Sequence, residues 1–548
     1  MPGLNLKAAQ WEQQHRAHVE EYLRQVDALY DVASEELVRL GVGYNYQPET
    51  GRLFAFSSNK GRHKQTEASL VSFQDKLTTI ITAGIAAEWA FANDKNDSWV
   101  KQLFDDPKKG WMLHNLDALE AFQRRTTYGH TLSERVWSVA KQFERHVELS
   151  LSIGISEGRS AANISRDVRM YLNEPDKLFR RVRDVFGNLS LSKAAQAYHP
   201  GQGVYRSSYQ NAMRMARTEI NSAYREADSI RWHQLDFIVG YEVKTSKSHT
   251  AWLAKFWYPR FKKGRAPLEI CDAMEGKYPK SFKFIGWHPN CRCYAVPIIA
   301  NEGTGKDWWE EPENEVKDVP DNFKNWVDNN VERIAKADQK GTLPYFFVEN
   351  KDFTLPIWQK SAIQLVADRA KAVGPEVQQI AQTIAKNNNA IVTPINYKSI
   401  SSITRKVDTE NLSPFAVKDA VRTTIICSPS QIENVLSELQ HNTAFLRLKR
   451  QNADLFMGYS GNIVNIQTSN GLVAEIQVNT AKMIYAKERP EDAKRILGLD
   501  VWNRIRRESG IEGGLGHMYY EKARVLDKSS AKYKGIERLS VEYYKHFR

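Results

Sequence analysis

The sequence predicts a multidomain α+β protein: a helical N-terminal part with a small β and loop region containing cysteines, then a C-terminal α/β domain. Three observations carry that expectation. Apolar residues recur at helical spacing through most of the chain before Phe237. From Phe237 the period shifts to two, the mark of a strand with one buried face. After a stretch rich in glycine, proline and acid at 301–325, long helical patterns alternate with short strand-like runs.

Residues 6–41 read as one amphipathic helix, with Trp11, Val19, Tyr22, Leu23, Val26, Leu29 and Val32 along its stripe. Gly41-Val-Gly43 supplies a stop, because glycine enters the left-handed conformation without a Cβ clash. Residues 44–62 are turn-rich, consistent with a small hairpin or an ordered arm. Helical character resumes over 65–125 and is expected to break at Asn93–Asp97. Thr131-Leu-Ser-Glu134 is a capping box that opens a helix carrying Leu132, Val136, Val139, Phe143, Val147 and Leu151 on one face. Further helices start near Ser160 and run through Met213–Leu235, with Ala216, Ile220, Ala223 and Ala227 inward. The expected segmentation is a helical arm over 1–125, a domain over 126–300, a linker over 301–350, an α/β domain over 351–525 and a basic aromatic tail over 526–548.

A chain of 548 residues, 42% hydrophobic and 11% aromatic, can bury several cores and is no disordered scaffold. The net charge of +12 is spread along the chain and favours phosphate-rich or acidic partners. Four cysteines are too few for a disulfide scaffold and fit a reducing compartment. The N-terminus lacks the apolar core of a signal peptide. The most apolar stretch, Leu77–Phe91, is interrupted by Glu88 and falls short of the ~20 residues of a membrane span, so it reads as a buried helix with no membrane partner.

Cys271, His288, Cys291 and Cys293 lie within 23 residues, as Cys271…His288-Pro-Asn-Cys291-Arg-Cys293. Thiolates and an imidazole in one loop suit a structural Zn²⁺, which takes four tetrahedral sulfur and nitrogen ligands. Reduced thiols packed as small hydrophobes beside a structural histidine would leave the same pattern. Together with Arg217-Thr218-Glu219, Leu132-Ser-Glu-Arg-Val-Trp137, Gly154-Ile-Ser-Glu-Gly158 and Asp167-Val-Arg-Met-Tyr-Leu172, the segment resembles the phage Mu F-like minor head proteins over about 126–300. That resemblance implies capsid morphogenesis, portal and capsid proteins as partners, and a place in the virion after assembly in the bacterial cytoplasm.

In the C-terminal part, Lys398 and Lys406 flank Ser402 at a helix start, a spacing able to grip a polyphosphate. Val417-Lys418-Asp419-Ala-Val-Arg422 puts a carboxylate and an arginine at the mouth of a buried strand. The run Ile463–Asn479 reads as a hairpin through Asn470-Gly471, whose alternation sends Glu475, Gln477 and Asn479 to one face. Two carboxylates near lysines suit Mg²⁺ shared with nucleotide phosphates, though ordinary strand-end charges would look alike.

The order of these motifs, with Gly458-Tyr459-Ser-Gly461 between them, resembles the RelA/SpoT synthetase-like nucleotidyltransferases over about 355–500. The resemblance implies that Lys398, Ser402 and Lys406 approach ATP phosphates, that Asp419 binds Mg²⁺, and that Glu475 binds Mg²⁺ or activates the attacking hydroxyl. Tyr459 would stack on the acceptor base, with Arg422, Gln477 and Asn479 lining the nucleotide site. The implied reaction is pyrophosphoryl transfer from ATP to the 3′-hydroxyl of a guanosine nucleotide or of a tRNA end. Asn396 and Asn462 depart from that pattern, standing where an arginine and a histidine are usual. A virion protein with an inactive, binding-only copy of the domain is the alternative.

Overall fold

The computed structural model describes residues 2–47, 53–58, 60–175, 182–183, 189–190, 204–246, 270–301, 309, 312–451 and 457–548. The chain divides into two compact units, Met1–Leu355 and Pro356–Arg548.

The first unit contains α1 (Pro2–Val42), α2 (Lys60–Leu103), α3 (Leu116–Arg124), α4 (Leu132–Ser156), α5 (Ala161–Asn173) and α6 (Ser208–Gln234). Val26, Ile81, Phe143, Val168 and Ile220, one from each of five helices, are buried in a common core. The stretches expected as a separate arm and domain therefore share one interior, because an amphipathic stripe is stable only against another apolar face. α4 begins at the expected capping box: Thr131 Oγ1 accepts from Glu134 N–H, and the Glu134 carboxylate accepts from Thr131 N–H. Such a cap contributes about 1 kcal/mol.

The break expected at Asn93–Asp97 is absent, and α2 runs through it. Asn93 and Asn96 donate to the carbonyls of Trp89 and Ala92, at 2.9 and 2.7 Å. Lys95 pairs with Asp228 of α6 at 2.5 Å, with both side chains buried. Glu88 hydrogen-bonds His15 and His18 of α1 at 2.6 and 2.8 Å. The polar residues that looked like a helix break face polar partners across helix contacts instead. Removing one member of a buried ion pair costs about 3–5 kcal/mol, so Lys95–Asp228 holds α2 against α6.

After α6 the period of two gives β1 (Ile238–Lys244), β2 (Gly276–Tyr278) and β3 (Tyr294–Ile299), antiparallel in the order β2–β1–β3. Composition marked 301–350 as a linker, yet it contains α7 (Asp321–Asn329), α8 (Val331–Gln339) and α9 (Tyr345–Glu349). Phe323 meets Phe282 and Phe346 meets Trp287 edge to face, each pair with centroids 5.4 Å apart. Glycine and acid at the start of the stretch masked the apolar positions that follow. Parts of that linker (302–308, 310–311), of the turn-rich 44–62 segment (48–52, 59) and the residues 247–269 before the first cysteine lie outside the described residues.

The second unit opens with the body of α10 (Lys351–Asn387). Then come β4 (Ile391–Val392), β5 (Asn396–Tyr397), α11 (Ile400–Glu410), β6 (Val421–Ile426), α12 (Ile432–His441) and β7 (Phe445–Gln451). The hairpin forms as expected from β8 (Gly461–Gln467) and β9 (Val473–Asn479), with Gly471 at φ +84° in the turn. The sheet order is β4–β6–β9–β8–β7, with β5 also pairing β6. β9 runs parallel to β6, and the other pairings are antiparallel.

Cross-strand partners share a face, so the register sorts the sheet into rows. Thr423, Ile476, Val464 and Leu448 form one row. Its Ile476, Val464 and Leu448 join side chains of α10, α11 and α12 in the core. Five further helices follow: α13 (Ala481–Lys487), α14 (Pro490–Leu497), α15 (Leu499–Ser509), α16 (Leu515–Ala523) and α17 (Ala531–Lys545). The stretch expected as a tail forms α17, and Tyr543, Tyr544 and Phe547 are buried with Tyr485 and Trp502. No helix among the described residues is long and apolar enough to cross a membrane.

Candidate functional site

The row next to the apolar one is polar across the whole sheet. Asn396 of β5 pairs with Arg422 of β6, Arg422 with Glu475 of β9, Glu475 with Asn465 of β8, and Asn465 with Arg447 of β7. Strand alternation alone produces this: the period that turns Ile476 and Val478 into the core turns Glu475, Gln477 and Asn479 away from it. The predicted trio thus occupies one face.

Glu475 Oε1 accepts from Gln477 Nε2 at 2.6 Å, and Gln477 Oε1 accepts from Lys487 Nζ of α13 at 3.2 Å. Asn479 Nδ2 donates to Tyr459 Oη at 3.0 Å. Lys487 Nζ stands 5.4 Å from the centroid of the Tyr459 ring and 3.1 Å from a Glu488 oxygen. Burial opposes its charge, but Tyr459 and Glu488 hold the Lys487 ammonium above its ordinary value. Lys487 therefore joins Tyr459 to Gln477, and Asn479 is tied in through the Tyr459 hydroxyl.

The lysines converge on the other predicted carboxylate. Ser399 caps α11, its hydroxyl accepting from Ser402 N–H, and the Lys398 N–H donates to Ala420 O at 2.9 Å. Those anchors bring Lys398 Nζ to 2.6 Å and Lys406 Nζ to 3.0 Å from the two oxygens of Asp419. Burial alone would raise the Asp419 carboxyl; the hydrogen bonds and charges of both lysines outweigh it and hold the group below the usual carboxylate range. Burial opposes the charge of Lys406, but the hydrogen bond and charge of Asp419, with the charges of Glu410 and Glu475, hold it above its ordinary value. Ser402 stands apart from this constellation: its hydroxyl takes a hydrogen bond from Ser399 at 2.9 Å, a capping role.

Carboxylate oxygens are the donors a hard divalent cation needs, so Asp419 and Glu475 are the side chains of this unit that would suit Mg²⁺.

Two residues of this face escaped the sequence reading. Asn465 is buried opposite Glu475, and its Nδ2 has no hydrogen-bond partner among the described residues. A polar residue between Val464 and Ile466 was the signal available. Lys487 lies on the helix after the hairpin, and nothing local in sequence ties it to Tyr459.

In the first unit, the Sγ atoms of Cys271, Cys291 and Cys293 all lie within 4.8 Å of one another. His288 Nε2 lies 3.0 Å from Cys271 Sγ. The three predicted cysteine ligands are thus brought together, with His288 against Cys271, while Cys427 is a lone buried thiol in the other unit.

No family model matches the chain. The (p)ppApp synthetase toxin Tas1 of Pseudomonas aeruginosa (strain UCBPP-PA14) is 34% identical over 180 residues, 33% of this chain and 41% of that protein. The chain thus spans less than half the length of that curated relative. The solved complex of the Type VI effector Tas1 with its immunity protein matches at 32% identity over 34% of this chain and 96% of that one, with a TM-score of 0.32. The small alarmone synthetase 1 from Bacillus subtilis matches at 15% identity over 32% and 88%, with a TM-score of 0.20. The Tas1 sequence match supports a RelA/SpoT-like synthetase domain in this chain. The minor-head resemblance of 126–300, with its capsid, portal and virion implications, finds no support in these comparisons.

Proposed function

We propose that the C-terminal unit transfers a pyrophosphoryl group from ATP to a hydroxyl of a purine nucleotide. The observation that carries the reading is the convergence of Lys398 and Lys406 on Asp419, beside a polar sheet row that contains Glu475. Without nucleotide, the Asp419 carboxylate is the counter-charge of both lysines. A polyphosphate competes for the same ammonium groups, and the exchange of one anion for another holds the donor without building a new pocket.

Asp419 and Glu475 would hold Mg²⁺, which when bound neutralises charge on the transferring phosphates. Glu475 also accepts the proton of the attacking hydroxyl, whose oxygen bonds the β-phosphorus of ATP as the bond to the α-phosphate oxygen breaks and AMP leaves. Gln477, donating to Glu475 Oε1, fixes which oxygen remains free for that proton. Tyr459, held by Asn479 and Lys487, offers a ring for the acceptor base. Arg422 and Lys487 supply cationic contacts to phosphate on the face where Asn396 and Asn462 do not.

The Tas1 relative is a (p)ppApp synthetase toxin, which favours an adenosine nucleotide as acceptor and a toxic effector role here. A guanosine nucleotide or tRNA end remains the acceptor expected from the motif resemblance. Incubating the full chain with γ-labelled ATP, Mg²⁺ and separately ADP, GDP or tRNA decides among them. Label on ADP is the expected result; label on GDP or tRNA reassigns the acceptor. No labelled product with any of them leaves the alternative, an inactive copy on a structural protein. The virion reading of the first unit has its own test: the chain should co-purify with assembled phage heads.

A further inference from the structure

We propose that Cys271, His288, Cys291 and Cys293 hold one structural Zn²⁺ that staples the 271–293 segment, whose loop helix α6 holds by hydrogen bonds. This inference is independent of the pyrophosphoryl reading, since it concerns the other unit.

Three sulfurs lie close together, and His288 stands against one of them. Cys271 Sγ and Cys291 Sγ are 3.9 Å apart; thiolates bound to a common zinc at about 2.3 Å sit roughly 3.8 Å from each other. The cysteines are free, so no disulfide accounts for the approach. His288 supplies the fourth ligand, and its orientation is already fixed. Its Nδ1 lies 2.8 Å from the Pro289 carbonyl oxygen, and Nε2 is turned to Cys271 Sγ. A metal-bound histidine is commonly held in this way, with the far nitrogen donating to a carbonyl that sets the tautomer.

The loop around the donors is built rather than incidental. Asn290 sits at φ +66°, a left-handed position that asparagine tolerates, and its N–H donates to Thr218 Oγ1 of α6 at 2.8 Å. Arg225 of α6 donates to the Cys291 and Cys293 carbonyls at 3.2 and 2.5 Å. Asn221 donates to the Cys291 carbonyl at 3.3 Å. The backbone carbonyls are thus taken by α6, while the three sulfurs face one another and Nε2 faces Cys271 Sγ. Four protein ligands leave no open position, so the metal is structural and not catalytic.

The test is zinc analysis of the untagged full chain, purified without added metal. One zinc per chain is expected, released by strong chelator together with a rise in alkylation of Cys271, Cys291 and Cys293. Replacement by Co²⁺ should give the visible bands of a tetrahedral site and sulfur-to-metal charge transfer; His288→Ala should alter those bands while the charge transfer persists. Cys293→Ser should lose the zinc, and if that variant fails to fold, the wild-type chelation and cobalt spectra still decide. A metal-free chain with three freely alkylated thiols, or one with a disulfide between Cys271 and Cys291, would overturn the proposal.

Discussion

The two units handle charge in opposite ways. The first buries it: Glu12, His15, Glu88, Lys95, His146 and Asp228 all lie inside the helical unit. The second puts Arg422, Glu475 and Arg447 in a row on one sheet face, with Glu475 itself buried, and keeps the neighbouring row apolar. A buried polar group is stable only when satisfied within the fold, and here Lys95 is met by Asp228 and Glu88 by His15 and His18. Lys398, Lys406 and Asp419 are also paired, but only half-buried, at 21, 26 and 13% exposure. That pairing can be exchanged for a ligand. Charge density alone therefore does not mark a site; accessible, exchangeable pairing does.

Four kinds of perturbation bear on the contrast, with Lys95→Met and Lys406→Met as one matched pair. The largest effect is expected for Glu475→Gln, which keeps shape and hydrogen bonding but removes the proton acceptor. Loss of a general base costs about 10²–10⁴ in rate, so turnover should fall by about a thousandfold with the melting temperature unchanged. A matching fall in stability would return Glu475 to a structural role.

Lys95→Met in the first unit should destabilise the fold by about 3–5 kcal/mol, because Asp228 is left buried without its ammonium. Hydrogen exchange of α2 and α6 peptides reads this directly. Lys406→Met, by contrast, should leave stability within about 1 kcal/mol while raising the KM for ATP, because Asp419 keeps Lys398 and partial access to water.

The third concerns pH. Burial, the largest influence, holds the His146 imidazole down at about 3, partly offset by a hydrogen bond that the ring donates to the Arg206 backbone. Its folded value is depressed, so the unfolded state takes up the proton first. The stability contribution is fully present above the ordinary value near 6.5 and is lost as pH falls toward 3. Relative to His146→Gln, the wild-type chain should lose about 1.4 kcal/mol per pH unit in that window, measured by exchange of α4 amides. A difference that stays flat from pH 6.5 to 3 would show that His146 is not buried neutral.

The smallest effect is expected at Asn465. Its buried amide makes no hydrogen bond through Nδ2, so Asn465→Leu should keep or raise stability. If the face binds nucleotide, the same change should lower turnover by about tenfold, the loss of one hydrogen bond to ligand. Equal turnover would remove Asn465 from the site.

Much of this was legible in sequence where the determinant is local. The Thr131–Glu134 box, the Asn470-Gly471 hairpin and the shared face of Glu475, Gln477 and Asn479 follow from spacing alone. What depends on distant partners was not. Asn93–Asp97 looked like a helix break because Asp228 lies 132 residues from Asn96 and out of view. Phe323 and Phe346 were hidden in a linker composition, and their aromatic partners Phe282 and Trp287 lie upstream. Lys398 and Lys406 were read as phosphate ligands, but their convergence on Asp419 is a tertiary fact. Asn465 and Lys487 acquire meaning only from register and from the helix that follows the sheet.

The most direct measurement of the central claim is the stoichiometry of ATP turnover by the full chain with Mg²⁺, using ATP labelled separately at the α and γ phosphates. The account predicts AMP and a pyrophosphorylated nucleotide in equal amounts, both lost in Glu475→Gln. Release of ADP and inorganic phosphate, or AMP formation that survives Glu475→Gln, would contradict it.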